Sequence, residues 1–89
     1  MKILKYQLKK DDEQIIKIPE RSEILDIQMQ NGIPVMWAKV DPESEDIEIK
    51  INMYGTGWEI NDDDTTEDIY LSTVQDGSFV WHFFMNYEL

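Results

Sequence analysis

Apolar residues in this chain recur at every second position, and that period restricts it to extended strands. The cleanest stretch is Ile47, Ile49, Ile51 and Met53, set against Glu48, Lys50 and Asn52. Leu4, Tyr6 and Leu8 alternate with Lys5 and Gln7, Ile16 and Ile18 bracket Lys17, and Leu25, Ile27 and Met29 alternate with Asp26, Gln28 and Gln30. The segments Ile69–Val74 and Phe79–Phe84 complete a set of about seven strands, and no stretch holds a helical period. Turn signals every 8–12 residues or so are the spacing of a small antiparallel β-sandwich or open barrel. The predicted fold class is therefore all-β. Its 89 residues form a single domain, since a chain of this size has room for one core.

Asn31-Gly32 and Asp76-Gly77 lie between alternating runs, and both dipeptides tolerate the positive φ of a type I′ hairpin turn. A two-residue loop at Asn31-Gly32 opposes Met29 to Pro34, Ile27 to Met36 and Leu25 to Ala38. The other face then carries Gln28 with Val35 and Asp26 with Trp37. Pro34 lacks an amide donor, which favours an edge strand there. The same geometry at Asp76-Gly77 opposes Phe79 to Val74, Trp81 to Ser72 and Phe83 to Tyr70 on one face. Val80, His82 and Phe84 share the other with Thr73, Leu71 and Ile69. Both faces of this hairpin are largely apolar, so one must meet a partner or a long loop, and a homodimer or small ring is expected. The core is predicted to hold Leu25, Ile27, Met29, Met36, Ile47, Ile49, Ile51 and Leu71.

Composition removes several classes of function. The chain has no cysteine, hence neither a disulfide framework nor a thiolate site. Its longest apolar runs are too short to span a bilayer as a helix, and the first residues lack the apolar core of a secretion signal, so a cytoplasmic setting is expected. Hydrophobic residues make up 42%, too many for a disordered acidic tail. The formal charge is −11, which opposes direct contact with nucleic acid or an anionic membrane. That charge is segregated. Residues 1–40 hold 7 basic and 6 acidic groups, whereas residues 41–68 hold 11 acidic groups against Lys50 alone. The acidic surface comprises Asp41, Glu43, Glu45 and Asp46 in one loop and Asp62, Asp63, Asp64, Glu67 and Asp68 in another. Opposed to it is the basic cluster Lys2, Lys5, Lys9 and Lys10.

No catalytic, metal or cofactor site is expected. The run from Asn61 to Asp68 offers many oxygens but not the spacing of an EF-hand loop, so it reads as a solvated acidic turn. His82 is the only histidine and has no recognisable nucleophile or carboxylate order around it, which favours a hydrogen-bonded structural role. The most distinctive string is Tyr54-Gly55-Thr56-Gly57-Trp58. Its glycines permit close backbone approach and its aromatics can stack on a planar group, although a turn closing the end of the sandwich is the simpler reading. Together with Trp37, which stands out on a mixed polar face, these five residues form the candidate binding pocket.

The strings Gln28–Pro42 and Tyr54–Gly57, the closing pattern Tyr70-Leu71-Ser72-Thr73, Gly77, Val80, His82 and Phe84, and the opening Lys5–Leu8 with Ile18-Pro19 resemble a family of small bacteriophage and prophage proteins. That family is catalogued as a domain of unknown function. The resemblance implies a viral origin and a host-cytoplasm setting, and implies no reaction or cofactor. Three functions fit it. The first is a non-enzymatic, anti-CRISPR-like acidic inhibitor that occupies the basic surface of a host defence or nucleic-acid-binding protein. The second is a sponge for a nucleotide immune messenger, with the Tyr54–Trp58 string and Trp37 as its pocket. The third is a minor virion assembly protein.

Overall fold

A computed structural model describes residues 1–61 and 68–87. Among them there is no helix; the chain forms seven strands, β1 (Lys2–Gln7), β2 (Glu13–Pro19), β3 (Ser22–Gln30), β4 (Ile33–Val40), β5 (Asp46–Gly55), β6 (Ile69–Asp76) and β7 (Phe79–Asn86). They build two antiparallel sheets, ordered β1-β4-β3 and β2-β5-β7-β6, that are not closed into a barrel. The result is a small β-sandwich.

Alternation places Ile49, Ile51 and Met53 of β5, Ile27 of β3, Met36 of β4 and Phe83 of β7 in one core, with Leu8, Ile18, Val74 and Met85 around them. Met29, Ile47 and Leu71 pack against this core while half-buried. Phe83 is its largest fully buried side chain. The facing edges β3 and β6 are tied by a side chain: the buried Ser72 hydroxyl lies 2.9 Å from Asp26 Oδ1 and 3.0 Å from the Ile27 carbonyl.

The first hairpin turns on Asn31 (φ 53°) and Gly32 (φ 78°), and its register holds from Gln30↔Ile33 to Asp26↔Trp37. There a bulge intervenes, and Ile24 rather than Leu25 opposes Ala38. The bulge leaves Leu25 unpaired and 46% exposed while Ile24 packs on the core. Leu25 is therefore not a core residue. Nor is Pro34 on an edge, because β4 is the central strand of its sheet. A proline fits there because the β1 ladder stops at Gln7↔Val35, and only the Leu8 amide reaches the Pro34 carbonyl.

The second hairpin corrects the expected register. Asp76 opposes Phe79, Val74 opposes Trp81 and Ser72 opposes Phe83, so the two-residue loop is Gly77-Ser78. Only Gly77 has positive φ there (61°), as a type II′ loop requires at its first position. A second bulge, at Leu71, pairs Tyr70 with Phe84 instead of Phe83. Tyr70 consequently lies on the outer face, where Phe84 sits edge-on between Tyr54 (5.8 Å) and Tyr70 (5.6 Å).

Candidate functional site

The string from Gly55 to Trp58 closes as a β-turn, its Trp58 amide donating to the Gly55 carbonyl at 3.1 Å, with Gly57 at φ 87° in the position that a type II turn reserves for glycine. The turn folds the Trp58 indole back over Gly55. A Cβ on residue 55 would stand 2.6 Å from Trp58 Nε1, so this approach needs glycine. Gly55 is opposed to Trp81 across the β5–β7 ladder. Trp58 meets Trp81 edge-on, with centroids 5.6 Å apart at 74°, and Phe79 lies nearly parallel to Trp81 at 5.4 Å and 10°. These rings and Ser78 line a cleft of about 240 Å³ at one end of the sandwich. Trp58 is 48% and Phe79 61% exposed, so both present ring surface to solvent.

Trp81 is held from below. Its Nε1 donates to Asp76 Oδ2 at 3.1 Å, and the Lys10 ammonium lies 2.7 Å from the same oxygen. The Lys10 hydrogen bond, then that of Trp81, holds the Asp76 carboxyl below the usual carboxylate range against a smaller desolvation effect.

The expected pocket is brought together only in part. Gly55, Thr56 and Trp58 line the cleft, and Gly57 shapes the turn. Tyr54 alternates with Gly55 and so points to the outer face, beside Phe84. Trp37 belongs to the other sheet, between Lys5 of β1 and Asp26 of β3, and faces away from the core. Neither residue lines the cleft. Phe79, Trp81 and Ser78 were absent from the expected pocket because strand order β5-β7-β6 carries the hairpin tip to the Gly55 turn, a long-range pairing without a local signal. The one available clue was a side-chain-free position, Gly55, beside an aromatic.

His82 is hydrogen-bonded through both ring nitrogens. Its Nε2 lies 2.6 Å from Thr56 Oγ1 and its Nδ1 3.0 Å from Thr73 Oγ1, which in turn bonds Tyr70 Oη at 2.8 Å. A neutral imidazole donates through one nitrogen and accepts through the other, and hydroxyls can satisfy both. Among the described residues no group of three or more histidine and carboxylate side chains is placed to hold a metal ion.

The acidic residues divide by role. Asp41 organises the β4–β5 loop: Oδ2 meets Arg21 Nη1 at 3.1 Å, Oδ1 accepts from the Glu43 amide, and the main-chain carbonyl accepts from the Ser44 amide and hydroxyl. Glu43 and Glu45 are exposed on that loop, and Asp46 is exposed at the start of β5. Asp68 is half-buried, with Oδ1 bonded to Asn86. Asp62, Asp63, Asp64 and Glu67 lie outside the described residues. The loop and the aromatic cleft sit at opposite ends of β5, whose 10 residues span about 30 Å at roughly 3.3 Å each.

Fold and site together define a small all-β domain with a preformed aromatic cleft at one end. The chain belongs to the family described as Domain of unknown function (DUF7352), which matches it over residues 1–89. No curated protein and no solved structure matches the chain.

Proposed function

We propose that this is a non-enzymatic binding protein that engages a partner protein through that partner's basic surface. In a phage or prophage setting, such a partner is a host defence or nucleic-acid-binding protein in the host cytoplasm. The observation that carries this reading is the β4–β5 loop, where Glu43, Glu45 and Asp46 stand exposed on a turn that Asp41 and Arg21 fasten in one shape. A loop whose backbone is held loses little main-chain freedom on meeting a cationic surface, and a formal charge of −11 steers the encounter over a Debye length. A nucleotide sponge is supported less well. The cleft, about 240 Å³, falls short of the roughly 300–1,000 Å³ usual for small-molecule sites.

Affinity capture from a bacterial lysate tests the proposal, comparing the native chain with Glu43→Lys/Glu45→Lys/Asp46→Lys. A basic nucleic-acid-binding protein should be retained at about 0.05 M salt and released near 0.5 M, where screening is severe. The triple variant should retain none of it. Recovery of no basic protein, or equal recovery by the variant, overturns the proposal.

A further inference from the structure

The aromatic cleft lies about 30 Å from the acidic loop, so the loop's charges do not account for it. We infer that the cleft takes an arginine side chain from a basic segment of the partner protein, the rings of Trp58 and Phe79 receiving the guanidinium. The inference rests on the proposed reading that the partner is basic, and it names the anchor that such a partner inserts.

Three observations converge on a planar cation. First, the lining is mostly ring surface, with Ser78 and Thr56 its polar side chains. Trp58 is seated on Gly55 and against Trp81, Phe79 is stacked on Trp81, and the one threonine of the lining, Thr56, has its hydroxyl bonded to His82. A sugar or a nucleobase calls for several donors and acceptors, and beside that threonine the lining offers one serine hydroxyl, whereas a cation over an aromatic face needs only the ring quadrupole. Second, a carboxylate stands behind the stack. Trp81 donates its indole N–H to the Asp76 carboxylate, and Phe79 stacks on that indole. Third, the exposed charges on the segments next to the cleft are mostly acidic. Glu59 is exposed beside Trp58, and Asp11 and Asp12 are exposed just before β2, where the Asp12 carbonyl accepts from the Met53 amide near the end of β5. Lys10 is occupied by Asp76, which leaves Lys9 as the one other basic side chain of that segment. Guanidinium is favoured over ammonium because it is planar, weakly hydrated and able to stack while its N–H groups still reach a carboxylate such as Glu59.

The three tryptophans supply an internal control. In a nitrogen–proton correlation spectrum of the full chain, titration with a hexa-arginine peptide at low salt should shift the indole signals of Trp58 and Trp81. The signal of Trp37, on the other sheet, should stay in place. Affinity should fall about 3- to 30-fold in Trp58→Ala and in Phe79→Ala, and hexa-lysine should bind more weakly than hexa-arginine. Both truncations are at exposed rings, and an unchanged β circular-dichroism spectrum certifies each variant; Phe79→Trp should keep the affinity. Hexa-arginine binding that ignores both truncations yet disappears in Glu43→Gln/Glu45→Gln/Asp46→Gln overturns the cleft inference and leaves the acidic-surface reading standing. Equal binding of the two peptides, or a shift at Trp37 alone, also overturns it. Binding of neither peptide to the native chain overturns both readings.

Discussion

Gly55 and Trp58 occupy one another's space: the indole of Trp58 lies where any side chain on residue 55 would have to go. The cleft therefore depends on a missing methyl group. Gly55 has no positive φ, so alanine there suffers steric exclusion without backbone strain. Because Trp58 is half-exposed, it can swing away, and Gly55→Ala should cost only about 1 kcal/mol. Its tryptophan emission should shift to the red and become easier to quench, and affinity for hexa-arginine should fall as in Trp58→Ala. Unaltered emission would show that the indole does not rest on Gly55.

Phe83 and Leu25 should respond in opposite ways to truncation. Phe83 is 0% exposed at the centre of the core, and Phe83→Ala should cost about 3–5 kcal/mol, most of the stability of a domain this small. Leu25 protrudes at the β3 bulge, so Leu25→Ala should cost less than about 1 kcal/mol. Urea unfolding followed by tryptophan emission ranks the two. A large loss at Leu25 would contradict the bulge.

Acid should act through Asp26. Its carboxyl is held below the usual range first by the Gln28 amide, then by the Ser72 hydroxyl and the Ile27 amide, while desolvation pushes the other way. A carboxyl whose folded pKa lies below its unfolded value adds stability that is complete above the unfolded value, near 3.9. That stability is lost as pH falls through the folded value. Asp26→Asn should thus be less stable than the native chain at pH 6 and should converge with it towards pH 2. Urea midpoints measured across that range decide the point, and parallel curves would rule out Asp26 as a contributor.

The loop that Asp41 fastens should loosen alone. Asp41→Ala removes the Arg21 ion pair and the side-chain acceptor of the Glu43 amide. The ion pair is largely exposed and contributes little, so global stability should change by no more than about 1 kcal/mol. Hydrogen exchange at the Glu43 amide should accelerate, and capture of a basic partner should weaken with it. Unchanged exchange at Glu43 would mean that the turn holds without its aspartate.

Most of the strand plan was legible because burial on one face imposes a period of two, and a hairpin turn then fixes which residues oppose each other. The Asn31-Gly32 register could be counted out correctly as far as Trp37. It failed at Leu25 because Ile24 and Leu25 are both apolar, and alternation cannot say which of two adjacent apolar residues a bulge turns outward. The same ambiguity hides the bulge at Leu71, next to Tyr70. Gly77 misled by one position, since glycine serves as the second residue of a type I′ loop or the first of a type II′ loop. Half of the candidate pocket was legible for a local reason, the Gly55–Trp58 turn. The other half, Phe79 and Trp81, arrives through the pairing of β5 with β7.

Only β3–β4 and β6–β7 join strands that are neighbours in the chain; β1–β4, β2–β5 and β5–β7 all reach across intervening strands. The two hairpins can close on their own within about 1–10 μs. The remaining pairings await loop closure, and a sandwich so dominated by distant contacts folds on the order of milliseconds to seconds. During synthesis β1 emerges well before β4, its only ladder partner among the described residues, and spends that interval with its edge unmatched. Lys2 and Lys5, one on each face of that strand, give it the charge that discourages pairing with the wrong neighbour.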